Sequence, residues 1–363
     1  MEQLEASARA VAVAAVADRT TLGGHVPCVL EAEPGDACYE AVAADLGRLA
    51  WRRPLTAEEV GPLVAIAKDA SAWGGGSFAT GLQYELMALL QSPYFIYLVE
   101  VGEPDPVDPA VRTLTPTELA ARMSFFLLGR TPDAELLAAA ESGELTTDDD
   151  VRAVAEAMLA RTEARATLSN FYSELFQLRD LSTINKSNEL FPQFTSELAY
   201  AMKYETLRLI EDIVWDKDGD FRTLLDADYT FVNPALASLY GLPPPPGQGF
   251  AKVDLAAEQG RAGLLGQASF LARFAHPAET SPTRRGQFIR AKLLCEAVPP
   301  PPPGVDASLP TEDPNKPQTM KRSCCSTCGI PAAAAVIRCS TRSASPWRTT
   351  TRSAPTGPST TAS

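Results

Sequence analysis

Apolar residues recur along this chain at intervals of three and four, and the recurrences begin just after residues that cap helices. In "LTAEEV" Thr56 stands three residues before Glu59, "LTPTEL" repeats the arrangement with Thr115, Pro116 and Glu118, and "TTDDDV" gives Thr147 and Asp150. A threonine hydroxyl at the N-cap accepts from an orphan backbone N–H, the acid three residues on reaches back, and each cap contributes roughly 1 kcal/mol. Behind the caps come Leu119, Met123 and Phe126, and further on Leu198, Met202, Leu209 and Ile213, at the spacing of one helix face. The pattern predicts a helix over 195–215, another over 282–296 opened by Ser281 and Pro282, and a short one capped by Asn233 before Pro234. Tyr229, Phe231, Leu236, Leu239 and Tyr240 read as core. Sustained alternation with period two is scarce, so the expected fold is mainly α.

Proline interrupts the helical pattern at "VGEPDPVDPAVRTLTP" (101–116), "YGLPPPPGQGF" (240–250) and "AVPPPPPGVDASLPTEDPNKP" (297–317). None of these stretches suits a helix interior or a central strand, which predicts multi-helical modules joined by Pro-rich linkers. "WGGGSF" at 73–78 reads as a loop and not a phosphate cradle, because no Lys-Ser/Thr follows it.

Charge divides the chain. Its 363 residues hold 32 Lys/Arg and 45 Asp/Glu, a net charge of −13. The last 43 residues, from Lys321, carry six basic groups and no acidic one, so residues 1–320 hold 26 against 45. Such an acidic body repels nucleic acid and anionic membrane surfaces and tolerates basic partners better. No apolar run reaches the 18 or so residues that a membrane span needs. The N-terminal stretch carries Glu2 and Glu5 where a secretory signal needs positive charge, and reads as a helix cut from a longer chain, without a signal peptide. The final segment reads as disordered, since few large apolar groups are present to offset ordering entropy. Its Cys324, Cys325, Cys328 and Cys339 lack the second ligand pair or histidine that tetrahedral zinc requires, so no metal site is expected.

Candidate chemistry is sparse, and each candidate has a plain structural alternative. Cys28 and Cys38 bracket a short polar loop, which suits a disulfide in an exported protein or two free thiols in a cytoplasmic one. His276 can serve as a general base or an axial haem ligand, or simply as a surface residue. Arg284 and Arg285 can clamp a carboxylate or phosphate, or form internal ion pairs, while Ser281 starts the helix behind them. Glu205 and Asp212, seven residues apart on one helix, can act as an acid–base pair; a solvated acidic face reads the same way. No G-x-S-x-G, H-E-x-x-H or nucleotide loop occurs.

Longer motifs carry a resemblance. "LGRLAWRRPLTAEEV" (46–60) with "MALLQSPYFIYLVE" (87–100) resembles the opening module of large exported planctomycete and myxobacterial proteins that bear cytochrome-c-associated domains of unknown function. "LTPTELAARMSFFLLGRTPDAELLAAAESGEL" (114–145), "NFYSELFQL" (170–178) and "DADYTFVNPALASLYGL" (226–242) are similar to the central module of that family. "RAGLLGQASFL" (261–271) with "TSPTRRGQFIRAKLLCEAVPPPPPGV" (280–305) is similar to the next one. The implied organisation is a truncated helix and Cys loop (1–38), a small RRPLT-type helical module (39–100), a central helical module (113–242), a TSPxxRG/PPPPP module (258–305) and an out-of-frame tail (319–363).

In the family a fourth module follows, opened by a C-x-x-C-H haem-attachment signature. Read one base out of register, the codons from Ala332 to Ile337 can encode C-x-x-C-H. From Arg338 the allowed sets contain M-L-D-P-I-G-F-A-L-E-N-Y-D-A-I-G, which predicts a frameshift near residues 318–325. The chain as written then binds no haem, and haem c is expected in the frame-restored protein. The resemblance implies a periplasmic or extracellular scaffold, or substrate-facing part, of a redox or electron-transfer protein, with a redox partner or its own further modules as the contacts. The alternatives are an extracytoplasmic hydrolase using helix carboxylates and a non-catalytic interaction module.

Overall fold

In the computed structural model, which describes residues 2–105, 107–256 and 260–298, the helix starts fall where the caps predict them. The chain opens with α1 (Glu2–Ala17), and α2 (Ala57–Trp73) begins at Thr56, whose backbone N–H donates to Glu59 Oε2 at 3.0 Å. Ser77 caps α3 (Phe78–Gln91), so the Gly-rich stretch before it is the turn between two helices. A two-stranded hairpin of β1 (Glu103–Pro104) and β2 (Arg112–Thr113) stands where the sequence predicts only a Pro/Asp linker. It is held by Glu118, which accepts from the backbone N–H of Val101 and Gly102 and also closes the capping box of α4 (Pro116–Leu128). Then follow α5 (Ala134–Ser142), α6 (Asp148–Leu159) behind the Thr147–Asp150 box, and α7 (Thr162–Leu175). The predominantly helical class expected from the pattern is the class observed.

Contacts group the chain into two units, Met1–Thr167 and Leu168–Ser363, and the break falls inside α7. In the first unit α1, α2 and α3 enclose a core of Ala12, Val29, Tyr39, Leu63, Ala67, Leu82 and Leu89. The helices approach closely at Gly81, where a Cβ would lie 2.2 Å from the Tyr39 hydroxyl and 2.6 Å from the Ala67 carbonyl oxygen. Cys28 and Cys38, at the edge of this core, are joined by a disulfide with their Cα atoms 5.8 Å apart. Glu85 of α3 is also fully buried there, with neither carboxylate oxygen hydrogen-bonded, and burial pushes its pKa up to about 9.

The two arginines of "WRRPLT" serve different purposes. Arg52 has left-handed backbone (φ 62°) and its buried guanidinium donates to the carbonyls of Ala50 at 3.0 Å, Phe95 at 3.5 Å, Tyr97 at 2.8 Å, and Tyr94. That fork ties the "SPYFIY" segment beyond α3 back to the start of α2. Arg53 pairs with Glu59 at 2.7 Å and lies 4.6 Å from the Tyr94 ring centre. Its hydrogen bonds hold the Glu59 pKa down to about 2. On α4 Met123 is buried as expected, but Phe126, expected on the same face, is 78% exposed and Leu128 is buried instead.

The second unit is built on α8 (Ser196–Glu211), whose Leu198, Met202, Leu209 and following Ile213 are all buried as the spacing predicts. A π turn, Asp212–Asp216, ends it. Strand β3 (Tyr229–Val232) pairs antiparallel with β4 (Ala251–Asp254), in the register Tyr229↔Asp254 to Val232↔Ala251. Between them lie α9 (Pro234–Tyr240), capped by Asn233, and the proline run. The boundary expected at 240–250 is therefore a connection inside one unit. Residues from Tyr172 to Phe288 share one core, in which the consecutive Thr230, Phe231 and Val232 of β3 are all buried by elements on both sides of the prolines. Gly263 (φ 54°) closes this arrangement, since a Cβ there would stand 2.3 Å from the Leu225 carbonyl group. The short α10 (Ala268–Arg273) is almost wholly buried, and Phe270, Phe274 and Phe288 form an aromatic cluster with Phe176. α11 (Pro282–Phe288) is capped by Ser281 and passes into a π turn ending at Leu293, earlier than the expected 296. Residues 299–363, with the proline run 299–303, the four tail cysteines and the expected frameshift, lie outside the described residues.

Candidate functional site

Apart from Cys28 and Cys38, which lie in the first unit, the residues singled out from the sequence form two sets in the second unit. Glu205, on the inner face of α8, has no exposed surface. Its Oε1 accepts from the Thr230 hydroxyl of β3 at 2.6 Å, and its Oε2 accepts from the Tyr240 hydroxyl of α9 at 2.7 Å. Tyr240 in turn accepts from the Ala268 N–H at 2.8 Å, and Gln267 Nε2 donates to Thr230 at 3.3 Å. Thr206 completes the network by donating to Gln267 Oε1 at 2.8 Å, with Ser269 Oγ 2.6 Å away. The Arg261 guanidinium lies 3.8 Å from the Tyr240 ring centre. Burial raises the Glu205 pKa to about 7 against the pull of Thr230, Tyr240 and Arg261, and raises Tyr240 as well.

The structure separates the two carboxylates that the helical spacing pairs. Asp212 begins the π turn and is held by Lys217 Nζ at 2.8 Å and by the Tyr229 hydroxyl at 2.7 Å. Each acid thus has its own partners, and the solvated-face reading fails at Glu205 because strands and helices distant in sequence cover that side of α8. A fully enclosed carboxylate with both oxygens engaged holds elements together, and it has no exposed surface at which to meet a substrate.

The second set surrounds the turn between α10 and α11. His276 is exposed, and its backbone N–H donates to the Glu279 carbonyl at 2.8 Å. Ser281 accepts from the Arg284 N–H. Arg284 is exposed and donates to the Ala275 carbonyl at 3.4 Å, whereas Arg285 is 4% exposed and donates to Thr280 Oγ1 at 2.7 Å. Neither arginine forms an ion pair among the described residues, so the expected internal pairing is corrected: neutral oxygens, not carboxylates, receive both guanidinium groups.

Sequence reasoning missed Lys186. Its ammonium crosses from a loop to this turn and donates to the carbonyls of Ala272 at 2.9 Å and His276 at 3.1 Å. Burial, with the nearby Arg284 and Arg273, lowers its pKa to about 8. Beside it is a cavity of about 40 Å³ lined by Lys186, Phe191, Leu271, Ala275, His276 and Thr280 among others. The signal for Lys186 lies in nothing local, since its partners are 86 and 90 residues away. Among the described residues no group of three or more His, Cys, Asp or Glu side chains could hold a metal ion.

Three stretches of the chain, in series, match models of modules of unknown function. The model PSD5, a protein of unknown function (DUF1595), matches residues 38–100; PSD4, a protein of unknown function (DUF1592), matches 114–242; PSCyt3, a protein of unknown function (DUF1588), matches 261–330. Together they fit a family of cytochrome-c-type modules, and they cover the stretches whose motifs carry the resemblance. No curated protein and no solved structure matches the chain.

Proposed function

We propose that this chain is the helical scaffold of an exported protein whose redox chemistry is carried by covalently attached c-type haem. The serial match of three modules, the last named for cytochrome c, carries this reading. Two features support it. The Cys28–Cys38 disulfide suits an oxidising compartment. The carboxylates nearest to an acid–base arrangement, Glu205 and Asp212, are spent on internal hydrogen bonds, which favours a haem over side chains as the reacting group. Among the described residues no helix is long and apolar enough to cross a membrane.

In this reading the last 43 residues are the haem module translated out of frame. Sequencing the gene across codons 316–340 and exporting the frame-restored product tests it. A one-base shift and a c-type absorbance band in the matured protein are the expected result. An uninterrupted frame, or a restored product without haem, overturns it. A non-catalytic interaction module is the second reading, favoured by the exposed apolar run that includes Tyr97 (65% exposed), Leu98 (51%) and Val101 (61%). Capture of one defined partner by the full chain, lost on Tyr97→Ser with Leu98→Ser, is what that reading expects.

A further inference from the structure

We propose that the cavity at the turn between α10 and α11 binds a carboxylate group, held between the Lys186 ammonium and the Thr280 hydroxyl. Four cations converge there in a chain of net charge −13: Lys186, Arg273, Arg284 and Arg285. The acids nearby do not balance them. Asp180 reaches Arg273 at 3.6 Å from a position 62% exposed, and Glu279, at the rim, is exposed and forms no ion pair among the described residues. Arg285 is buried and has its Nε without a partner, as does Arg273. Of the four only Arg285 is buried without a counter-ion among the described residues, which is costly, and an anion bound beside it offsets that cost.

The donors are in place for one. Lys186 spends two of its three N–H groups on carbonyls, which leaves one directed elsewhere. Thr280 accepts from Arg285, so its own proton is free to be donated. Apolar walls of Phe191, Leu271, Ala272 and Ala275 keep the local dielectric low and strengthen a charge-assisted bond. A cavity of about 40 Å³ takes one small head group. With Glu279 at the rim, a singly charged carboxylate is favoured over a doubly charged phosphate. The carboxylate belongs either to a small free acid or to the end of a peptide.

The full chain at pH 6.5, titrated with sodium acetate at constant ionic strength and followed by amide NMR shifts of Ala275, His276 and Thr280, tests this. A saturable response is expected, weakened about tenfold or more in Lys186→Met, where a charge-assisted bond is lost. Glu279→Gln, an exposed change that leaves the fold alone, tightens acetate binding severalfold. Acetyl-trialanine with a free C-terminal carboxylate competes with acetate, and binding tighter than acetate assigns the peptide source; weaker binding assigns the free acid. The C-terminal amide of the same peptide does not compete. A non-saturable response, acetate affinity unchanged in both variants, or equal binding of the amide overturns the proposal.

Discussion

Arg52 keeps a left-handed backbone because its side chain meets four carbonyl oxygens there. Lysine offers a point charge in place of a planar fork, so Arg52→Lys is expected to lower the stability of the first unit by about 2–3 kcal/mol, read by chemical denaturation. Glu85 works in the opposite direction. Its folded pKa, about 9, stands far above the ordinary carboxylate value, so the unfolded chain releases this proton first as pH rises. Stability from this group is complete below about pH 4, declines through neutrality and levels off near pH 9; Glu205, raised to about 7, adds to the same slope. Glu59, held down to about 2, contributes in the reverse sense: its stabilisation is present above about pH 4.5 and is lost progressively as pH falls toward 2. Glu85→Gln is therefore expected to raise the melting temperature at pH 8 and to leave it nearly unchanged at pH 4.5; an equal effect at both would contradict the assignment.

Helix starts were legible because a cap is a bond between residues three apart, and the whole of it lies within a few letters of sequence. Thr147→Ala is expected to cost about 1 kcal/mol, as a cap that stabilises only its own helix should. The Glu205 network was not legible, since its partners Thr230 and Tyr240 are 25 and 35 residues away and a glutamate on a helix reads as polar surface. Tyr240→Phe removes one bond to Glu205 and one from Ala268; a loss of about 2–3 kcal/mol, with the Glu205 carboxyl pushed higher by carbon-detected NMR titration, is expected. The basic turn was half legible: "TSPTRRG" announces a capped helix with two arginines, but the lysine that joins them arrives from another loop. The π turns after α8 and α11 leave no mark in the hydrophobic spacing: with its π turn α8 reaches the predicted end, while α11 with its own stops at Leu293, short of the expected 296.

At the scale of the whole chain, the apolar spacing gave the helical class, and the first two Pro-rich stretches mark the ends of matched modules, not the limits of the compact units. A proline run cannot be helix, yet nothing prevents it from looping between two strands of one sheet, as residues 243–246 do between β3 and β4. Reducing the Cys28–Cys38 disulfide is expected to lower the stability of the first unit by about 2–3 kcal/mol, the amount that closing so short a loop supplies. The span matched by PSD4 ends at Leu242, between the two strands. A fragment cut there would keep Glu205, Thr230 and Tyr240 but lose β4, Gly263, Gln267 and the Ala268 amide, and its sealed carboxylate would open to water. What is inherited as a module and what folds as a body are thus different lengths of chain, and recombination can carry the first to a new protein only together with a follower that supplies the missing wall.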